Sequence, residues 1–167
     1  MIKDSGKRRQ FYDESGKPMA VRDIQEGKGR CDLLPLDIAA SLVDTDVLSC
    51  IHLFKDGGKA IWLKQAIDAF CKERGWNKET MLLEVAIHFE EGHKKYPPDA
   101  DGTPNWQKGI PCSAYIDSGV RHYLKWRRGD DDEPHDRACV WNLMACWWTN
   151  NHMPELNGFK EEENAED

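Results

Sequence analysis

The stretch Glu84–Trp148 reads EVAIHFEEGHKKYPPDADGTPNWQKGIPCSAYIDSGVRHYLKWRRGDDDEPHDRACVWNLMACWW. Its apolar residues recur at helical rather than strand spacing, and its breakers fall between the runs. The first run predicts a helix over about Lys78 to Lys95, with Asn77 as N-cap, with Met81, Leu82, Leu83, Val85 and Phe89 inside, and with Pro97-Pro98 as a firm stop. A loop with four prolines and two glycines follows, and a loop of that length in a compact domain is usually functional. Ser113 can cap the next helix, about Ala114 to Arg128, which Gly129 ends. The acidic turn Asp130-Asp131-Asp132-Glu133-Pro134 leads into a last helix over about His135 to Asn151.

Working back toward the N-terminus, Ala60 to Arg74 places Ile61, Leu63, Ile67 and Phe70 on one face, with Gly75 as C-cap. Pro35 suits the first turn of a helix from Leu36 to Ser49, with Leu36, Ala39, Ala40 and Val43 on one face and a break at Lys55–Gly58. Little reads as strand. The expected fold is all-α, an antiparallel helical bundle of about five helices. Residues 1–30 are polar and rich in Lys, Arg and Gly, and predict a flexible basic arm; 31–153 form the helical domain; 154–167 predict an acidic disordered tail.

Composition sets limits. Hydrophobic residues at 40% and charged residues at 32% suit one soluble globular domain with a real core. No run of about 18 apolar residues predicts a membrane span, and the N-terminus lacks a signal-peptide core, so a cytoplasmic location and no membrane partner are expected. A net charge of −7 argues against general nucleic-acid binding, although much of it sits in the tail. The six cysteines form no CxxC pair and are expected as free thiols.

The helices carry the chemistry. Glu84, His88 and Glu91 share a face at i, i+4 and i+7; alone they suit a solvated stripe as well as a site. Asp117 and Arg121 at i and i+4, beside His122, suit a helix salt bridge or a ligand with a phosphate clamp. The acids of GDDDEPHD favour a helix N-terminus through its dipole, yet exceed what capping needs and would suit Mg²⁺ or Mn²⁺. His135 and Cys139 have zinc-like spacing but no matching second pair. Asn142 shares the His135 face and, if buried, needs partners. Lys94, Lys95, Lys108, Arg121, Arg127 and Arg128 supply positive charge, and Tyr96 and Trp106 offer stacking surfaces. Trp126, Trp141, Trp147 and Trp148 are core or interface residues. Acids that hold divalent metal and bases that hold phosphate, together on helices, suggest chemistry on a nucleoside triphosphate.

The ordered pattern EVAxxxxxGxKKY, NWxKGIP, DSGVRHYLKWxxGDxDEPHDRAxVWNLM, preceded by GKGRCDLLP at 27–35, resembles the phage and prophage dATP/dGTP diphosphohydrolase family. That resemblance implies a MazG-like all-α fold, a divalent metal (Mg²⁺ or Mn²⁺), cleavage of a purine deoxynucleoside triphosphate to dNMP and pyrophosphate in control of the phage nucleotide pool, and a homo-oligomer, dimer or tetramer. Glu84, Lys94, Lys95, Tyr96, Asn105, Trp106, Asp117, Arg121, His122, Asp131, His135 and Asn142 fall at the family's motif positions. The ExxE-then-ExxD spacing of the wider MazG-like group is not reproduced. The expected metal set is Glu84, Asp117, Asp131, Asp132, His135 and Asp136. Glu84, Glu91, His88 and His122 are the expected catalytic residues, and Lys94, Lys95, Tyr96, Asn105, Trp106, Arg121 and Asn142 the expected substrate-binding ones. A nucleotide-sequestering protein without catalysis and a helical interaction protein are the rival readings.

Overall fold

A computed structural model describes residues 1–159, which form a hairpin and six α-helices. The elements are β1 (Arg8–Tyr12), β2 (Pro18–Asp23), α1 (Leu36–Val43), α2 (Asp46–Gly57), α3 (Ile61–Arg74), α4 (Lys78–Lys95), α5 (Cys112–Arg128) and α6 (His135–His152). No described helix is long and apolar enough to cross a membrane.

The all-α expectation holds for the body of the molecule, with one helix more than expected. The run from Leu36 divides because Asp44 turns left-handed (φ 49°) and Thr45 starts a new helix, its hydroxyl accepting from the Val47 amide at 3.1 Å. Asn77 caps α4 by accepting from the Thr80 amide at 2.8 Å. Gly58, Gly75 and Gly129 end α2, α3 and α5 in the left-handed conformation. Phe54, Leu63, Phe70, Ile116, Tyr123 and Leu143 are fully buried between the helices, whereas Ile61, Leu82 and Leu83, expected inside, are half exposed or more. The six cysteines are free.

Helices α5 and α6 pack along most of their length. Gly119 permits the close approach: a Cβ there would stand 3.4 Å from the Asn142 Cβ and 3.6 Å from a Leu143 methyl. The approach brings the polar face of α5 (Asp117, Arg121, His122) beside His135 and Asn142 of α6.

Residues 1–30 are not a loose arm. β1 and β2 pair antiparallel, with Arg8 opposite Asp23 and Gln10 opposite Val21. The alternation buries Phe11 and Ala20, which is enough apolar surface to seat the hairpin on the body. The proline-rich loop after α4 is its dock. The Asn105 side chain accepts from the Val21 amide at 2.9 Å and donates to the Val21 carbonyl at 2.7 Å, mimicking a third strand. The Gly109 carbonyl accepts from the Ala20 amide at 3.1 Å. At Gly109 φ is +116°, and a Cβ would lie 2.8 Å from the Met19 sulfur. Gly109→Ala is therefore expected to cost about 1–3 kcal/mol, read as a lower thermal midpoint with the helical circular dichroism retained.

The start of the expected tail also folds back. Pro154–Leu156 make a short 3-10 turn, the buried Asn157 amide donates to the Gly58 carbonyl at 3.0 Å, and Phe159 meets Phe54 edge-on at 5.6 Å. The rest of that tail, 160–167, lies outside the described residues.

Candidate functional site

The hairpin and the segment after it, α4, the proline-rich loop, α5 and the middle of α6 line a cavity of about 900 Å³. Its wall carries Arg22 from β2, Lys28 from the segment after it, Lys95 from α4, and Arg121 and Lys125 from α5. Two of these cations have counter-ions. Lys95 pairs with Asp23 at 3.2 Å. Arg121 pairs with Asp117 at 2.5 Å, both side chains less than a tenth exposed, and donates to the Gly29 carbonyl at 2.6 Å. Asp117 in turn accepts from the Cys31 amide at 2.7 Å, so the pair clamps the chain leading into α1.

Arg22 and Lys28 differ: among the described residues neither has a carboxylate within ion-pairing distance. Arg22 donates to the Asn142 carbonyl oxygen at 3.2 Å and stands 5.6 and 5.5 Å from the Tyr115 and Trp141 ring centroids. The Asn142 amide donates to the Ala138 carbonyl at 2.8 Å, which turns its oxygen toward Arg22. Partial desolvation lowers the pKa values of both, although Lys28 keeps an exposed side and Arg22 is half-buried. A partly desolvated cation without a counter-ion gains from an anion that joins it.

His88 lines the same cavity, 5.5 Å from the Trp141 ring, with no partner for Nδ1. Burial, and then Arg22, push it down to about 4. The unfolded chain takes up this proton near the ordinary value of 6.5, the folded chain only near 4, so the unfolded state gains as pH falls through that window. The thermal midpoint is expected to drop between pH 6.5 and 4, with a shallower slope in His88→Leu, measured by melts across that range.

A second group borders the cavity where α5 meets the turn before α6. The His122 and His135 Nδ1 atoms are 2.9 Å apart, and each is 3.8 Å from Glu133 Oε1. His135 Nε2 is 2.6 Å from Asp132 Oδ1. Burial, then the neighbouring His135, hold the His122 pKa well below the ordinary histidine value, so its ring is neutral at pH 7. The backbone amide of Lys3 donates to Glu133 Oε2 at 2.9 Å, and its ammonium contacts Asp132. His122, Glu133 and His135 offer donor atoms within 4.8 Å of one another, and so do Asp130, Asp132 and His135, so the residues fit a divalent cation.

The expected metal set is not assembled as a whole. Asp132 and His135 are together. Glu84 lies off the cavity with its carboxylate 3.5 Å from Arg137, and Asp136 lies 3.1 Å from Arg74. Asp117 is committed to Arg121, and Asp131 is exposed outside both donor groups. Glu84 and Asp136 each meet a guanidinium from another helix, and Asp117 meets one from its own. Of the expected catalytic residues, His88 and His122 face the cavity. Glu91 does not; it accepts from the Ile2 amide at 3.2 Å. Of the expected substrate-binding residues, Lys95, Tyr96, Trp106, Arg121 and Asn142 line the cavity. Trp106 packs edge-on against Trp148 at 4.8 Å, with its ring also against Phe89. Lys94 lines the rim, but its ammonium pairs with Glu90 on the exposed side of α4. Asn105 is also at the wall, yet its side chain is taken up by Val21. Sequence reasoning missed Arg22 and Lys28, and counted Glu133 among the acids of the turn without placing it in the expected metal set. The alternation in PMAVRD was the available sign of β2, and with it of Arg22.

The helical body thus sets cations and a histidine–carboxylate group around one cavity. Residues 77–158, from the cap of α4 to the turn after α6, match the family model described as dATP/dGTP diphosphohydrolase, N-terminal. Over that span, just under half of its length, the chain belongs to that family, whose name is that of a hydrolase. No curated protein and no solved structure matches it.

Proposed function

We propose that the protein hydrolyses a purine deoxynucleoside triphosphate, dATP or dGTP, to the monophosphate and pyrophosphate with the help of Mg²⁺ or Mn²⁺. The observation that carries this reading is Arg22, a guanidinium without a carboxylate partner in a cavity wall that also carries Lys28, Lys95 and Arg121. A triphosphate supplies the counter-ion that Arg22 and Lys28 lack. The family match supports the substrate class.

In this reading Arg22, Lys28 and Lys95 hold the phosphates, and Arg121 stays neutralised by Asp117 at their base. Water adds to the α-phosphorus as the bond to the β-phosphate oxygen breaks, and the cations stabilise the charge that passes to pyrophosphate. His88, held neutral, gives or accepts a hydrogen bond to the nucleotide through its free Nδ1. Trp106 lies where a base can stack. The histidine–carboxylate group would hold the cation, which when bound neutralises phosphate charge and acidifies water. Incubation with each deoxynucleoside triphosphate and either metal, with separation of products, tests this. dNMP and pyrophosphate from dATP or dGTP support the reading. A folded sample that binds nucleotide but turns over none of them, with either metal, sinks it in favour of sequestration.

A further inference from the structure

We propose that His122, Glu133 and His135 form a three-donor site that selects a transition-metal dication, Mn²⁺ or its heavier first-row neighbours, over Mg²⁺, with Asp132 as the positioning residue for His135. The site borders the cavity of the proposed reaction, but its occupancy is measured without nucleotide and so stands or falls separately.

The three donor atoms form a triangle with edges of 2.9, 3.8 and 3.8 Å. Donors bound about 2.1 Å from a common ion stand roughly 3–4 Å apart, so little movement is needed to share one. The tautomer is set from behind. Asp132 Oδ1, 2.6 Å from His135 Nε2, accepts that N–H and leaves the lone pair on Nδ1, the atom turned toward His122 and Glu133. This carboxylate–histidine relay is how proteins aim an imidazole at a metal. The His135 side chain is fully buried, which locks the ring. Glu133 is divided in the same way: Oε2 is anchored by the Lys3 amide, and Oε1 faces the two histidines. Two imidazoles and one carboxylate suit transition metals, whereas Mg²⁺ prefers oxygen throughout. Three protein donors leave coordination positions open. Since His122 and Glu133 both line the cavity, those positions face the place where a phosphate oxygen or water would arrive.

The test uses metal-free full-length protein. Calorimetric titration with MnCl₂, ZnCl₂ and MgCl₂ should give one site, at least about tenfold tighter for Mn²⁺ than for Mg²⁺ and tightest for Zn²⁺. Pulsed electron paramagnetic resonance of bound Mn²⁺ should show coupling to two imidazole nitrogens. His122→Ala and Glu133→Gln should each weaken Mn²⁺ by about 100-fold, and Asp132→Asn by about 10- to 100-fold, while His52→Ala on α2 should change nothing. Because His135 is buried, His135→Ala risks misfolding; the resonance spectrum of the unsubstituted protein settles its part. Equal affinity for Mg²⁺, a spectrum without nitrogen coupling, or unchanged binding in Glu133→Gln would each overturn the site. Hydrolysis that persists with Mg²⁺ in such a case would leave the proposed reaction intact, and a bound Mn²⁺ without hydrolysis would do the reverse.

Discussion

Arg121→Met is expected to lower the thermal midpoint by roughly 6–20 °C. The substitution strands Asp117, whose side chain is 6% exposed, without its counter-ion. Breaking a buried pair from one side costs about 3–5 kcal/mol, and a domain of this size loses about 2–4 °C per kcal/mol. The Gly29 carbonyl loses its donor as well, so the segment entering α1 should loosen together with the helix pair. Differential scanning calorimetry reads the midpoint, and hydrogen exchange reads the Gly29–Cys31 amides. The double variant Arg121→Met, Asp117→Leu removes both charges and should recover part of the loss, the remainder reflecting the Cys31 amide and Gly29 carbonyl left without side-chain partners. A midpoint unchanged in Arg121→Met would show that the pair contributes nothing to stability.

Arg22→Met should behave in the opposite way. Arg22 is desolvated by its surroundings but has no carboxylate, so its removal relieves a cost instead of creating one. The thermal midpoint should hold or rise. Triphosphate turnover should fall by about 100- to 1,000-fold in kcat/KM, the usual effect of deleting one charge-stabilising donor from a phosphoryl site. Arg22→Lys should recover only part of this, since an ammonium lacks the planar fork that pairs with two phosphate oxygens. Steady-state kinetics and a melt on the same preparation give both numbers. A stable Arg22→Met protein with full activity would remove the guanidinium from the site. The contrast between the two arginines, one holding the fold and one held in readiness by it, is the kind of trade between stability and function that active sites show.

How far the sequence could be read depended on where each signal lay. Helix α4 was legible to its ends because a side-chain cap, a long periodic run and two prolines are all local. The division of α1 from α2 was hidden, since it rests on one left-handed residue, Asp44, which carries no glycine signal. The hairpin escaped because its strands are short and charged and bury only Phe11 and Ala20; what stabilises it is Asn105, some 84 residues away. The site followed the same rule. The acids and histidines were visible as residue types, but the pairing of Glu84 with Arg137 and of Asp136 with Arg74 is tertiary and could not be read from spacing. Arg22 lay in a segment whose composition resembles a linker, so its charge had no apparent place to act.

The two hydrogen bonds from Asn105 to Val21 also bear on where the functional unit begins. The family match starts at residue 77, yet the hairpin that this asparagine holds places Arg22 in the cavity. An excised fragment spanning 77–158 would carry both histidines and Glu133 but arrive with one wall missing. Its failure to capture nucleotide would say nothing about the intact chain. The smallest piece worth expressing is set by a side chain that stitches two distant segments together, not by the ends of an alignment.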